Sequence, residues 1–150
     1  MKQSPTDQKL YENLQPSKFS SEGFLGADTR PIDEIISADR KALEEADITR
    51  EDLVAWLKKA YAQAKEAFGA VVELSPGVTA QFYESMGRIP SPFRGDGVFE
   101  KGEAVVTDTG TGEKIIITSL GINLIEKHDF YQGKGSRYRI EPNLVTKLLR

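Results

Sequence analysis

The sequence predicts one α+β domain: an N-terminal helical hairpin packed on a small, mainly antiparallel sheet, with short C-terminal helices. Three observations carry this prediction. Two segments with apolar residues at helical spacing come first, over residues 28–46 and 48–69. Alternating and β-branched segments follow between residues 70 and 118. Helical spacing returns from residue 119, and such segregated runs are typical of α+β rather than alternating α/β proteins.

The two N-terminal helices have recognisable ends. Asp28 or Thr29 is the candidate N-cap of the first helix, with Pro31 in its first turn. Thr49 is the candidate N-cap of the second helix, and Gly69 is placed to end it. Because only a few residues join the two segments, we expect an antiparallel hairpin.

About four strands are predicted after the helices. The segments "AVVEL" and "VTAQFYES" flank the turn signal "SPG", and "EAVVTDT" and "EKIIITS" flank "GTG" as a β-hairpin. The isoleucines at 115–117 predict a strand covered on both faces. The stretch 87–97 holds two prolines and three glycines and predicts a loop.

The C-terminal part is predicted to be helical around a glycine-rich break. Ser119 is the candidate cap of a helix that ends near Asp129, and Pro142 opens a final short helix. At the other end, residues 1–18 are polar and predict a flexible arm. The single α+β domain then spans 19–150.

Composition excludes several classes of protein. The chain of 150 residues is 39% hydrophobic and 29% charged, as expected of one globular domain. It has no cysteine, so disulfides and thiolate chemistry are excluded. No apolar run approaches the roughly 20 residues of a membrane helix. We expect a cytoplasmic protein that binds no membrane and carries no cofactor.

The stretch 128–139, "HDFYQGKGSRYR", is the richest in functional side chains. Lys134, Ser136, Arg137 and Arg139 are candidate anion ligands. Tyr131 and Tyr138 are candidate stacking partners for nucleic-acid bases. The competing interpretation is that the aromatics pack in the core and the glycines serve a tight reversal.

A phosphate-binding P-loop is excluded by spacing. The motif needs glycine five positions before the glycine–lysine pair, where His128 stands, and Ser or Thr after the lysine, where Gly135 stands. Metal sites are also unsupported. Asp33, Asp39 and Glu44 are interpreted as lying on a solvated helix face, and Asp96 as a turn residue.

His128, the only histidine, falls on the inward stripe of its predicted helix. A packed histidine is the simplest interpretation. The alternative is a general base oriented by Asp129 or Glu126.

The segments "FSSEGFLGADTRPIDEIISAD" and "LIEKHDFYQGKGSRYRIEP" resemble uncharacterised bacterial cytosolic proteins of unknown function. The resemblance implies no activity. The leading hypothesis is therefore a non-catalytic binding or regulatory module with a protein partner or a homo-oligomeric one. A phosphate-bearing ligand or nucleic acid bound through 131–139 is the alternative, and an enzyme using His128 is the third. An exposed apolar patch, with Phe24, Leu25 and Phe93 as candidates, favours the first.

Overall fold

A computed structural model describes Leu10, Leu14 and residues 23–149. Its elements are, in chain order, helices α1 (Ile32–Glu45) and α2 (Arg50–Glu66), strands β1 (Val72–Ser75), β2 (Val78–Tyr83), β3 (Arg88–Pro90), β4 (Val98–Glu100), β5 (Glu103–Asp108) and β6 (Lys114–Thr118), and helices α3 (Ser119–His128) and α4 (Pro142–Leu148). The predicted α+β class and the order of helical pair, sheet and short helices are confirmed.

The main sheet is antiparallel and has the strand order β1-β2-β5-β6. Strands β3 and β4 form a separate two-stranded ribbon. The loop prediction for 87–97 is therefore wrong at its start, which β3 occupies. Three-residue strands are too short to show alternation in the sequence. Pro90 is tolerated because β3 is an edge strand of a two-stranded ribbon.

Helix α2 covers one face of the main sheet, and the principal core lies between them. The residues that the sheet directs into this core are Val78, Ala80, Phe82, Ala104, Val106, Ile115 and Ile117. Helix α1 packs instead against α4. The two N-terminal helices therefore contact different parts of the fold, since α2 covers the sheet and α1 packs against α4.

The opposite face of the sheet stays partly exposed. Gln81, Val105 and Ile116 form a cross-strand row on this outer face. The expectation that all of 115–117 is covered on both faces is wrong, because Ile115 and Ile117 point into the core while Ile116 points outward. A continuous apolar run cannot by itself distinguish a strand covered on both faces from one covered on a single face.

A second apolar cluster lies beneath α1 and α3. Its buried members are Leu14, Phe24, Leu25, Ile35, Leu120, Leu124 and Phe130. Phe24 and Leu25 are therefore core residues and do not form an exposed patch, and Phe93 is partly buried against the same cluster. The flexible-arm prediction for 1–18 lies outside the described residues except at Leu10 and Leu14, which pack in or against this cluster.

Two of the predicted helix caps are replaced by neighbours. The Thr49 hydroxyl accepts from the Asp52 N–H at 3.1 Å, as predicted. Helix α1 has Pro31 at its N-cap position without a side-chain cap, and α3 is capped by Thr118 rather than Ser119. Among the described residues, no helix has the length and apolar character needed to cross a membrane.

Candidate functional site

Arg139 is the centre of a buried ion-pair cluster that fastens the C-terminal segment to α1. Its Nη2 and Nη1 donate to Asp39 Oδ1 and Oδ2 at 2.7 and 2.8 Å, and its Nε donates to Glu141 Oε2 at 2.9 Å. The side chains of Arg139 and Asp39 are only 7% and 6% exposed. Nη1 also donates to the Gln132 carbonyl at 2.6 Å. The expectation that Asp39 lies on a solvated face is wrong, because a distant arginine covers it.

The charge state of Arg139 follows from these contacts. Burial alone would lower its pKa, but the hydrogen bond and negative charge of Asp39 raise it above the ordinary value. The guanidinium is thus held as a cation, and its Nε, Nη1 and Nη2 all donate to protein oxygens. Arg139 therefore stabilises the fold through these contacts.

Arg137 and Tyr138 turn toward a different part of the fold. Arg137 Nη2 donates to Glu103 Oε1 at 3.1 Å, and the Tyr138 hydroxyl donates to Glu103 Oε2 at 3.3 Å. The hydrogen bonds that Arg137 donates to Tyr138 and Glu103 raise the pKa of Arg137. Two of the predicted anion ligands, Arg137 and Arg139, therefore face carboxylates on β5 and α1.

The remaining predicted site residues of the stretch also differ in exposure. The Lys134 side chain is exposed, whereas Ser136 is buried and donates to Gln132 Oε1 at 2.9 Å. Tyr131 is buried, and its hydroxyl has no hydrogen-bond partner among the described residues. Burial is the main reason that the pKa of Tyr131 lies above its ordinary value. Anion binding and base stacking here stay predictions.

The glycines of the stretch permit two backbone segments to touch. A Cβ on Gly133 would overlap the Leu25 carbonyl, and one on Gly26 would overlap the Ser136 amide. The Gly133 N–H donates to the Phe24 carbonyl at 2.8 Å across this contact. Glycine is needed here for close approach of the backbone.

His128 belongs to a polar cluster that joins α3 to the loop before β4. Its Nε2 lies 2.8 Å from Asp96 Oδ2. Asn123 Nδ2 and Ser91 Oγ donate to the same oxygen at 2.8 and 2.9 Å. The His128 side chain is 25% exposed, and its ring stacks on Phe93 with a centroid separation of 3.7 Å. His128 thus lies at the edge of the core, partly screened by an aromatic ring.

The protonation state of Asp96 is fixed by this cluster. Burial alone would raise its pKa, but the hydrogen bonds from His128, Ser91 and Asn123 lower it below the ordinary value. The serine donates to the carboxylate and not to the histidine, so the three residues do not have the arrangement of an activated nucleophile. The role of His128 as a general base stays a prediction. Asp129 or Glu126 was predicted to orient His128, whereas the carboxylate on its ring is that of Asp96, 32 positions away, which the sequence indicated only as a turn residue.

A cavity of about 190 Å³ lies between the second apolar cluster and the ends of β4 and β5. Phe24, Ile89 and Leu120 supply its apolar part. Its polar part includes Lys101 and Gln132. Gln132 is only 3% exposed and has a left-handed backbone at φ 71°, which a residue with a side chain rarely adopts.

Large apolar side chains are exposed where α2 ends and β2 ends. The Phe68 surface comprises Phe68, Val71, Tyr83 and Met86, of which Phe68 and Met86 are 96% and 95% exposed. Gln81 joins its parts, because Gln81 Nε2 donates to the Gly69 carbonyl and Oε1 accepts from the Tyr83 hydroxyl, both at 2.9 Å. This surface continues onto the outer face of the sheet, beside the partly exposed Val105.

A second set of contacts joins α2 to the ribbon that follows Met86. Lys65 and Tyr61 of α2 donate to Glu100 Oε1 at 2.9 and 2.6 Å. Glu100 pairs across the ribbon with Arg88, two residues after Met86. The C-terminal half of α2 and the chain after β2 are thereby held next to each other.

Three exposed acidic side chains lie close in the chain to residues of the Phe68 surface. Glu66 precedes Phe68 in the last turn of α2, Glu73 is on β1, and Glu84 follows Tyr83. All three are exposed, and within the part of the chain that the structure describes none of them forms an ion pair. These three carboxylates, here called the rim, thus place unpaired negative charge close in the chain to the apolar residues.

Comparison with known proteins gives no relative to guide the choice between these sites. No family model, no curated protein and no solved structure matches the chain. The resemblance to uncharacterised bacterial proteins stays a prediction. Within residues 23–149, Leu10 and Leu14, no group of three or more acidic or histidine side chains could hold a metal ion.

Proposed function

We propose that this protein is a non-catalytic binding module whose Phe68 surface receives a protein partner. The partner presents an apolar cleft flanked by Lys and Arg side chains. The observation that carries the proposal is Phe68 itself, a large aromatic residue that is almost fully exposed and sits in a left-handed backbone conformation at φ 51°. A cytoplasmic and bacterial setting is part of the proposal and comes from the sequence alone.

The backbone at Phe68 supports a role outside folding. Phe68 follows the last turn of α2, at the position where glycine or asparagine commonly ends a helix in the left-handed region. A bulky residue there strains the chain by about 1–3 kcal/mol. Burial does not offset this strain, because Phe68 is almost fully exposed, and within the described part of the chain its ring stacks on no other aromatic ring. A partner's cleft that binds the Phe68 ring as an aromatic anchor would explain why a large residue stands at this position.

The charges at the rim identify the chemistry of the partner. Glu66, Glu73 and Glu84 leave unpaired negative charge close in the chain to the apolar residues. Complementary positive groups on a partner would speed its association and fix its orientation. A second copy of this chain is disfavoured at this surface, because an isologous contact would bring the same carboxylates against one another.

The experiment is a selection of random peptides displayed on phage. The full chain is the bait, and the Phe68→Asp variant is the bait for counter-selection. We expect enriched peptides to combine aromatic or aliphatic residues with Lys and Arg, and their binding to weaken as salt is raised. Peptides that bind both baits equally, or that lack basic residues, would contradict the proposal.

Two controls keep the result specific. Circular dichroism and urea unfolding establish that Phe68→Asp is folded. Val98→Asp changes another exposed apolar residue, on β4 and outside the Phe68 surface. We expect Val98→Asp to retain peptide binding and Met86→Asp to lose it. Dimerisation through the Phe68 surface, seen by sedimentation of the wild-type chain and abolished by Phe68→Asp, would replace the heterologous partner with a second copy.

A further inference from the structure

We infer that the cavity between Phe24, Leu120 and Gln132 is a binding site for a small organic monocarboxylate with a short apolar body. The inference does not rest on the proposed protein-binding function, since the cavity lining includes none of the four residues of the Phe68 surface, although Ser85 of the lining directly precedes Met86. The volume of the cavity, its apolar lining and the hydrogen-bond partners of its polar groups support this inference.

The size and the apolar lining of the cavity determine how large and how apolar the ligand can be. The volume of about 190 Å³ lies below the about 300–1,000 Å³ of sites for drug-sized molecules. Phe24 and Leu120 are held rigidly as members of the second apolar cluster, and Ile89 packs against it. A short branched or aromatic group fits such a wall.

Two nitrogen donors of the cavity lack partners among the described residues, as does the Ser85 hydroxyl. Gln132 Oε1 accepts from Ser136, but Gln132 Nε2 makes no hydrogen bond within the described part of the chain. Lys101, which is half-buried, likewise forms no ion pair with any described residue. Gln132 Nε2 is not a buried unsatisfied atom, since the Tyr131 hydroxyl alone has that character among the described residues, so it is open to an acceptor that enters the cavity. The left-handed backbone of Gln132 is a strain at this position.

The acceptors of the cavity, by contrast, are already engaged. Glu103 accepts from Arg137 and Tyr138. Glu100 accepts from Tyr61 and Lys65, and those hydrogen bonds lower its pKa despite partial burial. Glu103 and Glu100 are already paired with the cations Arg137 and Lys65, so an amine ligand would have to compete with these ion pairs, whereas Lys101 offers an unpaired cation to an anionic ligand. A dianionic phosphate would face two carboxylates with one unpaired cation, whereas a monocarboxylate matches one lysine and one amide.

The test uses isovalerate as the probe, with 3-methylbutylamine and inorganic phosphate as matched comparisons. The full-length protein, labelled with nitrogen-15, is titrated while the side-chain amide of Gln132 and the backbone amide of Leu120 are followed by NMR. We expect isovalerate to shift both signals to saturation, and the amine and phosphate to leave them in place.

Two lysine variants make the result specific. Lys101→Gln is expected to weaken isovalerate binding about tenfold, because a charge-assisted hydrogen bond is lost. Lys41→Gln, on the exposed face of α1, is expected to leave the affinity unchanged. The inference is overturned if isovalerate leaves Gln132 unshifted, if the amine binds as well, or if Lys101→Gln has no effect. Unchanged urea unfolding of both variants excludes a loss of fold.

Discussion

The stretch 131–139 and the Phe68 surface differ in which side chains are exposed to solvent. In the stretch, Arg139 is buried against Asp39, and Arg137 reaches Glu103. At the Phe68 surface, aromatic and aliphatic residues point into solvent and acidic neighbours are unpaired. A cluster of charged and aromatic residues in a sequence can thus belong to the framework, while ordinary apolar residues form the exposed surface that needs a function.

The largest effect is expected from breaking the Arg139 cluster. Arg139→Met leaves the Asp39 carboxylate buried without its cation, which should lower the free energy of unfolding by about 3–5 kcal/mol. Urea denaturation measures the change. The double variant Asp39→Leu/Arg139→Met should recover most of the loss, because both charges are then absent. A single variant that unfolds like the wild type would show that Arg139 is not part of the framework.

The Asp96 cluster should give a smaller effect that depends on pH. Asp96→Asn replaces an acceptor of three hydrogen bonds and should destabilise the protein by about 1–3 kcal/mol near neutral pH. The pKa of Asp96 is lowered in the folded state, so its stabilisation is present above the unfolded value of about 3.9 and is lost as pH falls through the folded pKa.

The measurement for Asp96 is urea unfolding of wild type and Asp96→Asn between about pH 6 and about pH 2. The difference between the two proteins should shrink toward the acid end of this range. A difference that stays constant would mean that the carboxylate has the same pKa folded and unfolded.

Phe68→Gly should act in the opposite direction. Glycine adopts positive φ without strain, so the variant should raise the free energy of unfolding by about 1 kcal/mol. Ala67→Gly, one position earlier and at φ −83°, is the matched control and should destabilise instead. A destabilised Phe68→Gly would indicate that the phenyl ring supports the fold.

The smallest effect is expected at Arg137. Its side chain is 56% exposed, and an exposed ion pair contributes about 0–1 kcal/mol. Arg137→Met should therefore change the urea midpoint little, in contrast to Arg139→Met. Equal losses at both positions would remove the distinction between a buried and a surface arginine within one stretch.

Much of the fold could be predicted from the sequence, because it is encoded locally. Thr49 and Pro142 begin helices through contacts with the next few residues, and the β-hairpin turn forms within its own segment. The site features were not predictable in this way. Asp39 meets Arg139 across 100 positions, and Asp96 meets His128 across 32, so neither partner is visible in a local pattern.

The periodicity of apolar residues did not predict that Phe68 is exposed. Phe68 continues the apolar stripe of α2 by spacing, but the helix ends at Glu66, and the left-handed turn directs the ring away from the core. Helix ends are uncertain by one or two residues in any sequence pattern. At the end of α2, a shift of one or two residues decides whether Phe68 lies in the core or on the surface.

The most direct test of the Phe68 surface is to measure stability and binding on the same variant. A peptide selected on the wild-type chain is titrated calorimetrically into wild type, Phe68→Gly and Arg137→Met. We predict that Phe68→Gly binds at least about tenfold more weakly although it is more stable, and that Arg137→Met binds like the wild type. Full affinity in Phe68→Gly, with binding lost in Arg137→Met, would contradict the account and return the interaction site to 131–139.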